Sequence, residues 1–195
     1  MKKDILMPIL ALVCAAVVLL GCAFGLRGVA AERAQAEHLR LLRTVLPGSE
    51  SFTLEPYAGE DANIVSVHKA ENGFVIETVT RGYADDIQML VGVNKEGYVT
   101  GLVVLEAHET LGLGSRILTD HVFLSQFLNG NGSFAAATAD AFSGATGEAE
   151  TGDETQVDAI SGATVSSKAV IRCVNSAIAY VTGADASSGA TSWGG

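Results

Sequence analysis

The sequence predicts an α+β chain: an N-terminal transmembrane helix, then an antiparallel-sheet domain with a C-terminal packing helix. Three observations predict it. Ile5 to Leu26 runs for 22 residues without a charge, four β-rich runs joined by turn residues lie between Asn63 and Leu105, and Val165 to Val181 repeats apolar residues at helical spacing.

The first element is justified by length. At about 1.5 Å per residue, a helix from Ile5 to Leu26 would cover a bilayer core of ~30 Å. Lys2 and Lys3 precede it, and the positive-inside tendency puts the short N-terminus in the cytoplasm and the rest of the chain outside. Two competing readings are a cleaved signal peptide and a lipoprotein signal cut before Cys22 in Leu19-Leu20-Gly21-Cys22. A retained single-pass anchor in the cell (inner) membrane is preferred, because the apolar run continues past Cys22 and Leu20 is uncommon in a lipidation site. Cys14 and Cys22 then read as small apolar fillers of the span.

Glu32 to Leu46 follows a helical pattern, with Leu39, Leu42 and Leu46 at spacings of three and four, and Pro47-Gly48 stops it. The expected organisation is anchor at 1–27, stalk helix at 28–48, folded domain at 49–182 and flexible tail at 183–195. Within the domain, Asn63–His68 and Phe74–Val79 form a hairpin around Asn72-Gly73. Gln88–Val93 and Tyr98–Leu105 form another around Asn94-Lys95-Glu96-Gly97. The apolar stretch Leu102 to Leu105 suggests a strand buried on both faces, which requires a covering helix. Val170, Ile171, Val174, Ile178 and Val181 give the last helix the apolar stripe to provide that cover. Cys173 reads as a partly buried residue of this helix.

Composition removes several function classes. With 12 Lys or Arg against 22 Asp or Glu, the formal charge is −10, the wrong sign for a nucleic-acid partner. Removing Lys2, Lys3 and Asp4 leaves 10 basic and 21 acidic residues past the anchor start, so the body would be repelled by anionic lipid except where its tether holds it to the bilayer. Three cysteines without a CxxC pair leave a thiolate metal site, an iron–sulfur cluster or a c-type haem without ligands. No nucleophile-elbow sequence supports a Ser–His–Asp hydrolase, and no catalytic residue is assigned. The acidic linker Glu148–Gln156 has no function derivable from its residues.

Two segments carry candidate chemistry. Ala107 to Gly114 leaves a strand and enters a loop with two glycines, where backbone can approach a ligand closely. Asp158-Ala159-Ile160-Ser161-Gly162-Ala163-Thr164 leads into the last helix, whose N-terminus offers free amides and a positive dipole end to an anion. The commoner alternative is an ordinary N-cap by Thr164 or Ser166. Spacing alone does not choose between them.

Gly82-Tyr83, Val91-Gly92-Val93, Leu105–Gly114 and Asp158–Val170 together resemble the flavin-binding G subunit of the Rnf electron-transport complex. That resemblance implies an FMN-binding domain with FMN joined by a phosphoester to the last Thr of an Asp-x-x-Ser/Thr-Gly-Ala-Thr/Ser motif, which is Thr164 here. It implies further cofactor contacts from Ser161, Gly162, Ala163, Ser166 and Lys168 and from the loop residues Glu109, Thr110, Leu111, Gly112 and Leu113. Glu109 also reads as a loop-ordering carboxylate, and His108 as a loop histidine satisfying backbone groups. Leu111 stands where the family usually has proline, which removes a fixed φ from the loop. Asp158 reads as a recognition residue for the flavin transferase that attaches the cofactor, or as a loop-capping carboxylate.

Ser-Gly-Ala-Thr occurs three times, each preceded by Asp-Ala at the same distance: Asp140–Thr146, Asp158–Thr164 and Asp185–Thr191. Only Thr164 opens an amphipathic helix. Acidic residues follow Thr146 and four residues follow Thr191, so one flavin per chain is expected, at Thr164. The resemblance therefore implies an electron-carrying subunit of an ion-translocating ferredoxin:NAD oxidoreductase complex with the other Rnf-type subunits as partners and no catalysis of its own. The alternatives are the C-type component of a sodium-pumping NADH:quinone reductase and a non-redox, membrane-tethered surface domain.

Overall fold

A computed structural model of the chain describes residues 21, 32–108, 120–137 and 155–183. It divides into two compact units, residues 1–40 and 41–195. In the first, residues 32–40 are helical and carry an exposed Glu37–Arg40 pair at 3.9 Å. Among the described residues no helix is long and apolar enough to cross a membrane. The span expected at Ile5–Leu26 lies outside them, Gly21 apart.

The second unit begins with the end of that helix (α1, residues 32–45), followed by β1 (Phe52–Glu55), β2 (Ile64–Ala70), β3 (Gly73–Arg81), β4 (Asp86–Asn94) and β5 (Val99–Ala107). The five strands form one antiparallel sheet in sequence order. From β2 onward this order follows from the short turns, since a tight connection returns each strand beside its predecessor. The four expected strands are present. β1 is additional: Phe52-Thr53-Leu54-Glu55 is a short edge strand with Leu54 exposed, too weakly patterned to stand out in the sequence.

Alternation along the strands gives the sheet two apolar faces. Ile76, Met89, Val91 and Val93 face α3 (Thr164–Thr182) and pack with its Val170, Cys173, Val174, Ala177 and Ile178. Val75 and Leu90 face the other way and pack with Leu42, Val45 and Leu46 at the end of α1. That end reaches the sheet because Gly92 and Gly101, paired across β4 and β5, leave space for backbone. A β-carbon on Gly101 would stand 2.7 Å from the Val45 carbonyl oxygen, and one on Gly92 would stand closer still. Thr100 Oγ1 donates to the same carbonyl at 2.6 Å.

Leu102 to Leu105 departs from expectation. These residues are covered on both faces, Leu102 and Val104 on the α3 side and Val103 and Leu105 on the α1 side, but only half-buried. The reason is position: β5 is an edge strand with one neighbour, β4. Cys173 differs in the other direction and is fully buried.

Beyond the sheet lie α2 (His121–Ser125), β6 (Phe134–Ala137) and β7 (Thr155–Asp158), the last two paired in parallel. None was expected. α2 is a five-residue turn capped by Asp120, whose carboxylate accepts the amides of Val122 and Phe123. It is held by Phe123, Phe127 and Phe134, stacked edge-to-face with ring centroids 5.4 and 5.1 Å apart. β7 takes in Thr155 and Gln156, so the acidic linker ends in a strand.

Candidate functional site

The end of the sheet where β3 turns into β4 and β5 finishes is also the end at which α3 begins. Thr80 Oγ1 donates to the Ala169 carbonyl at 2.9 Å, and Arg172 donates to the Arg81 carbonyl at 2.9 Å. Tyr180, near the far end of α3, meets Phe74 at the start of β3 with centroids 5.8 Å apart. Thus α3 runs antiparallel to β3. Thr164, five residues before Ala169, lies about 7.5 Å further along the helix axis, toward the β3–β4 turn.

The motif segment is built by backbone bonds. The Ala163 amide donates to the Ile160 carbonyl at 2.9 Å, closing a turn in which Gly162 has φ +79°. A residue with a β-carbon is strained there, so the turn favours glycine. Ser167 Oγ accepts the Ile160 amide at 3.1 Å, while the Ser167 amide donates to the Ala163 carbonyl at 2.8 Å. The turn and the first turn of α3 are thereby stitched together, with Ile160 and Ala163 buried beneath.

This arrangement corrects the alternative of an ordinary cap. Ala163 is the N-cap, with no side-chain hydrogen bond, and Thr164 is the first helical residue. The first turn of α3 carries no acidic residue. Thr164 is exposed, as are Ser161 and Gly162; Lys168 is half-buried one turn on. An exposed hydroxyl at the positive end of a 19-residue helix suits a bound phosphoester, an interaction worth about 0.3–1 kcal/mol. Ser166 is fully buried, because two residues past Thr164 the helix has turned that side chain toward the core.

Asp158 ends β7 with its side chain exposed. Its backbone is held from the other side by the Gln126 amide: the Asp158 N–H donates to Gln126 Oε1 at 2.9 Å, and Gln126 Nε2 donates to the Asp158 carbonyl at 3.3 Å. Asn175 of α3 does the same for Phe134 of β6, with both bonds at 2.9 Å. Sequence reasoning missed Gln126, Asn175, Thr80 and Ser167. Only Ser167 left a signal, a second serine on the buried side of a helix start.

His108 follows the end of β5 and is exposed. Its Nδ1 lies 3.8 Å from Asp85 and its Nε2 3.5 Å from Glu106, so among the described residues it faces two carboxylates. Arg81 pairs with Asp85 and Asp86, each at 3.3 Å, and donates to the Ala84 carbonyl, fixing the turn that carries exposed Tyr83. Glu109, Thr110, Leu111, Gly112 and Leu113 lie outside the described residues, as do Thr146 and Thr191. Burial pushes the Cys173 thiol above its ordinary pKa, opposed by the Thr78 and Thr80 hydroxyls and by Arg172.

A family profile described as an FMN-binding domain matches residues 82–179, from the β3–β4 turn to the last turns of α3. The chain belongs to this FMN-binding domain family. The G component of an ion-translocating oxidoreductase complex from Methanosarcina acetivorans is 34% identical over 161 residues, covering 76% of this chain and 77% of that protein. Its counterpart in the Na(+)-translocating ferredoxin:NAD(+) oxidoreductase complex of Acetobacterium woodii is 32% identical over 125 residues, covering 64% of this chain. The match spans about half of the Acetobacterium protein, 54% of its length. Among solved structures, the C component of the Na(+)-translocating NADH-quinone reductase from Parabacteroides distasonis superposes with a TM-score of 0.50 at 19% identity. The superposition takes in 75% of this chain and 89% of that one, a likeness of fold. The segment matched by the FMN-binding family thus holds β4 and β5, both amide clamps and the motif loop.

Proposed function

We propose that this chain is the FMN-carrying electron-transfer subunit of a membrane-bound, ion-translocating oxidoreductase complex of the Rnf type. One observation carries the reading: within the FMN-binding match, Thr164 presents an exposed hydroxyl as the first residue of a helix with no side-chain cap. The names of the relatives support the complex, and the motif supports the attachment.

In this reading a phosphoester joins Thr164 Oγ1 to FMN, which supplies one- or two-electron chemistry when bound. The linkage keeps one negative charge, and the N-terminal end of α3 and the Lys168 ammonium stabilise it. Ser161, Gly162 and Ala163 shape the turn that holds the threonine. Glu109, Thr110, Leu111, Gly112 and Leu113 line the cofactor. Asp158 is read by a flavin transferase during maturation. The chain is anchored by one membrane span at its N-terminus, its domain lies on the extracytoplasmic side, and its neighbours are the other subunits of the complex. Covalency retains the cofactor where free FMN would be diluted away.

The test is co-expression of the full chain with a flavin transferase, followed by denaturing gel fluorescence and intact-mass and peptide analysis. A mass gain of one FMN less one water on the Thr164 peptide is expected. A chain that stays unmodified with the transferase present, or an adduct on Thr146 or Thr191 alone, defeats the reading.

A further inference from the structure

We propose that Gln126 is a positioning residue for Thr164, acting through the backbone of Asp158; the inference rests on the reading that Thr164 is the attachment site. The loop from Asp158 to Thr164 has two ends, held differently. Its helix end is fixed within itself, by the Ile160–Ala163 turn and the Ser167 bonds. Its strand end is fixed from outside. β6 borders β7 on one edge, while the Gln126 amide meets both the N–H and the carbonyl of Asp158.

A primary amide matches a peptide group in having one donor face and one acceptor face, so Gln126 acts as a one-residue strand at that edge. The half-buried Gln126 is rigid for this purpose because Phe123 and Phe127 on either side of it are buried in the aromatic stack. With both ends of the loop held, the exposed Asp158 carboxylate and the exposed Thr164 hydroxyl are presented in one fixed relation. An enzyme that reads the first and modifies the second then meets an already ordered substrate. Without the clamp, the strand end must be ordered during each encounter, which slows modification without removing the hydroxyl.

The experiment uses the full chain with co-expressed transferase and three variants: Gln126→Leu, which removes both bonds; Gln126→Glu, which keeps the acceptor for the Asp158 amide and loses the donor; and Asn175→Ala, which removes the similar clamp on β6. Flavin incorporation is followed over time, together with the amide hydrogen exchange of Asp158 and the melting temperature. Gln126→Leu is expected to slow incorporation about tenfold, the equivalent of one or two net hydrogen bonds, and to speed Asp158 exchange by a similar factor. Gln126→Glu should fall between it and the wild type. Asn175→Ala should lower the melting temperature while leaving Asp158 exchange and incorporation near wild-type rates. Wild-type incorporation in Gln126→Leu overturns the inference alone, and so do equal losses in Gln126→Leu and Asn175→Ala, which would mark a purely structural role. A wild-type chain left unmodified at Thr164 overturns the attachment reading and this inference with it, whereas the exchange data still report whether the clamp exists.

Discussion

The carbonyl oxygen of Val45, at the end of α1, lies over Gly92 so closely that no β-carbon fits between them, and Thr100 donates to that same oxygen at 2.6 Å. The close approach lets Leu42, Val45 and Leu46 reach Val75 and Leu90, making the helix end part of the domain's packing. Gly92→Ala must push the Val45 end of α1 off the sheet, and a loss of about 1–3 kcal/mol is expected. Urea denaturation followed by circular dichroism reads it, and an unchanged midpoint would count against the contact.

Thr80 tests the other face. Its hydroxyl donates to the Ala169 carbonyl at 2.9 Å and meets Cys173 Sγ at 3.4 Å, all within buried surroundings. Thr80→Val keeps the shape and removes the donor. A destabilisation of about 0.5–1.5 kcal/mol should follow, measured by the same denaturation. If the valine variant is as stable as the parent, the Thr80 hydroxyl contributes nothing to holding α3 on the sheet.

The motif turn separates conformation from chemistry. Gly162→Ala places a β-carbon at φ +79° and should cost about 1 kcal/mol in thermal unfolding while reducing flavin incorporation. Thr164→Ala should leave stability within about 0.5 kcal/mol, because the side chain is exposed, and should abolish covalent fluorescence. Thr164→Ser should retain it. A fluorescent Thr164→Ala band would place the adduct elsewhere.

Cys173 links stability to pH. Burial raises its thiol pKa in the folded state above the ordinary value of 9.0, so at alkaline pH the unfolded chain releases this proton first. Stability from this group is therefore full below pH 9 and falls as pH rises through the unfolded value toward the folded one. Denaturation midpoints between pH 8 and about 10.5 should decline more steeply in the wild type than in Cys173→Ala. The native thiol should also resist a disulfide reagent at pH 8 and react once unfolded. Equal slopes in the two proteins would refute the linkage.

Much of the fold was legible because local chemistry and global packing agree in it. The β-rich runs Phe74–Val79 and Gln88–Val93, with Asn72-Gly73 and Asn94–Gly97 as turns, helped specify four neighbouring antiparallel strands, and the stripe from Val170 to Val181 specified the helix above them. β1, β6, β7 and α2 escaped. Each is four or five residues long, below the length at which periodicity separates from chance, and each exists because an already folded neighbour pairs with it or buries it. The motif loop was legible as a candidate from its residue order; its uncapped Thr164 and buried Ser166 depended on where the helix starts and how it is rotated.

Residue order was enough for the β-rich runs, the turn glycines and the position of the threonine at the opening of an amphipathic helix, because these depend on residues a few places apart. Folding in three dimensions was needed to bring Gln126 to Asp158, 32 residues away, and Thr80 to Ala169, 89 residues away. A hydrogen bond at such separation leaves no periodic trace in the chain: its partners are chosen by how the sheet and helices pack, and many polar side chains could have filled either role.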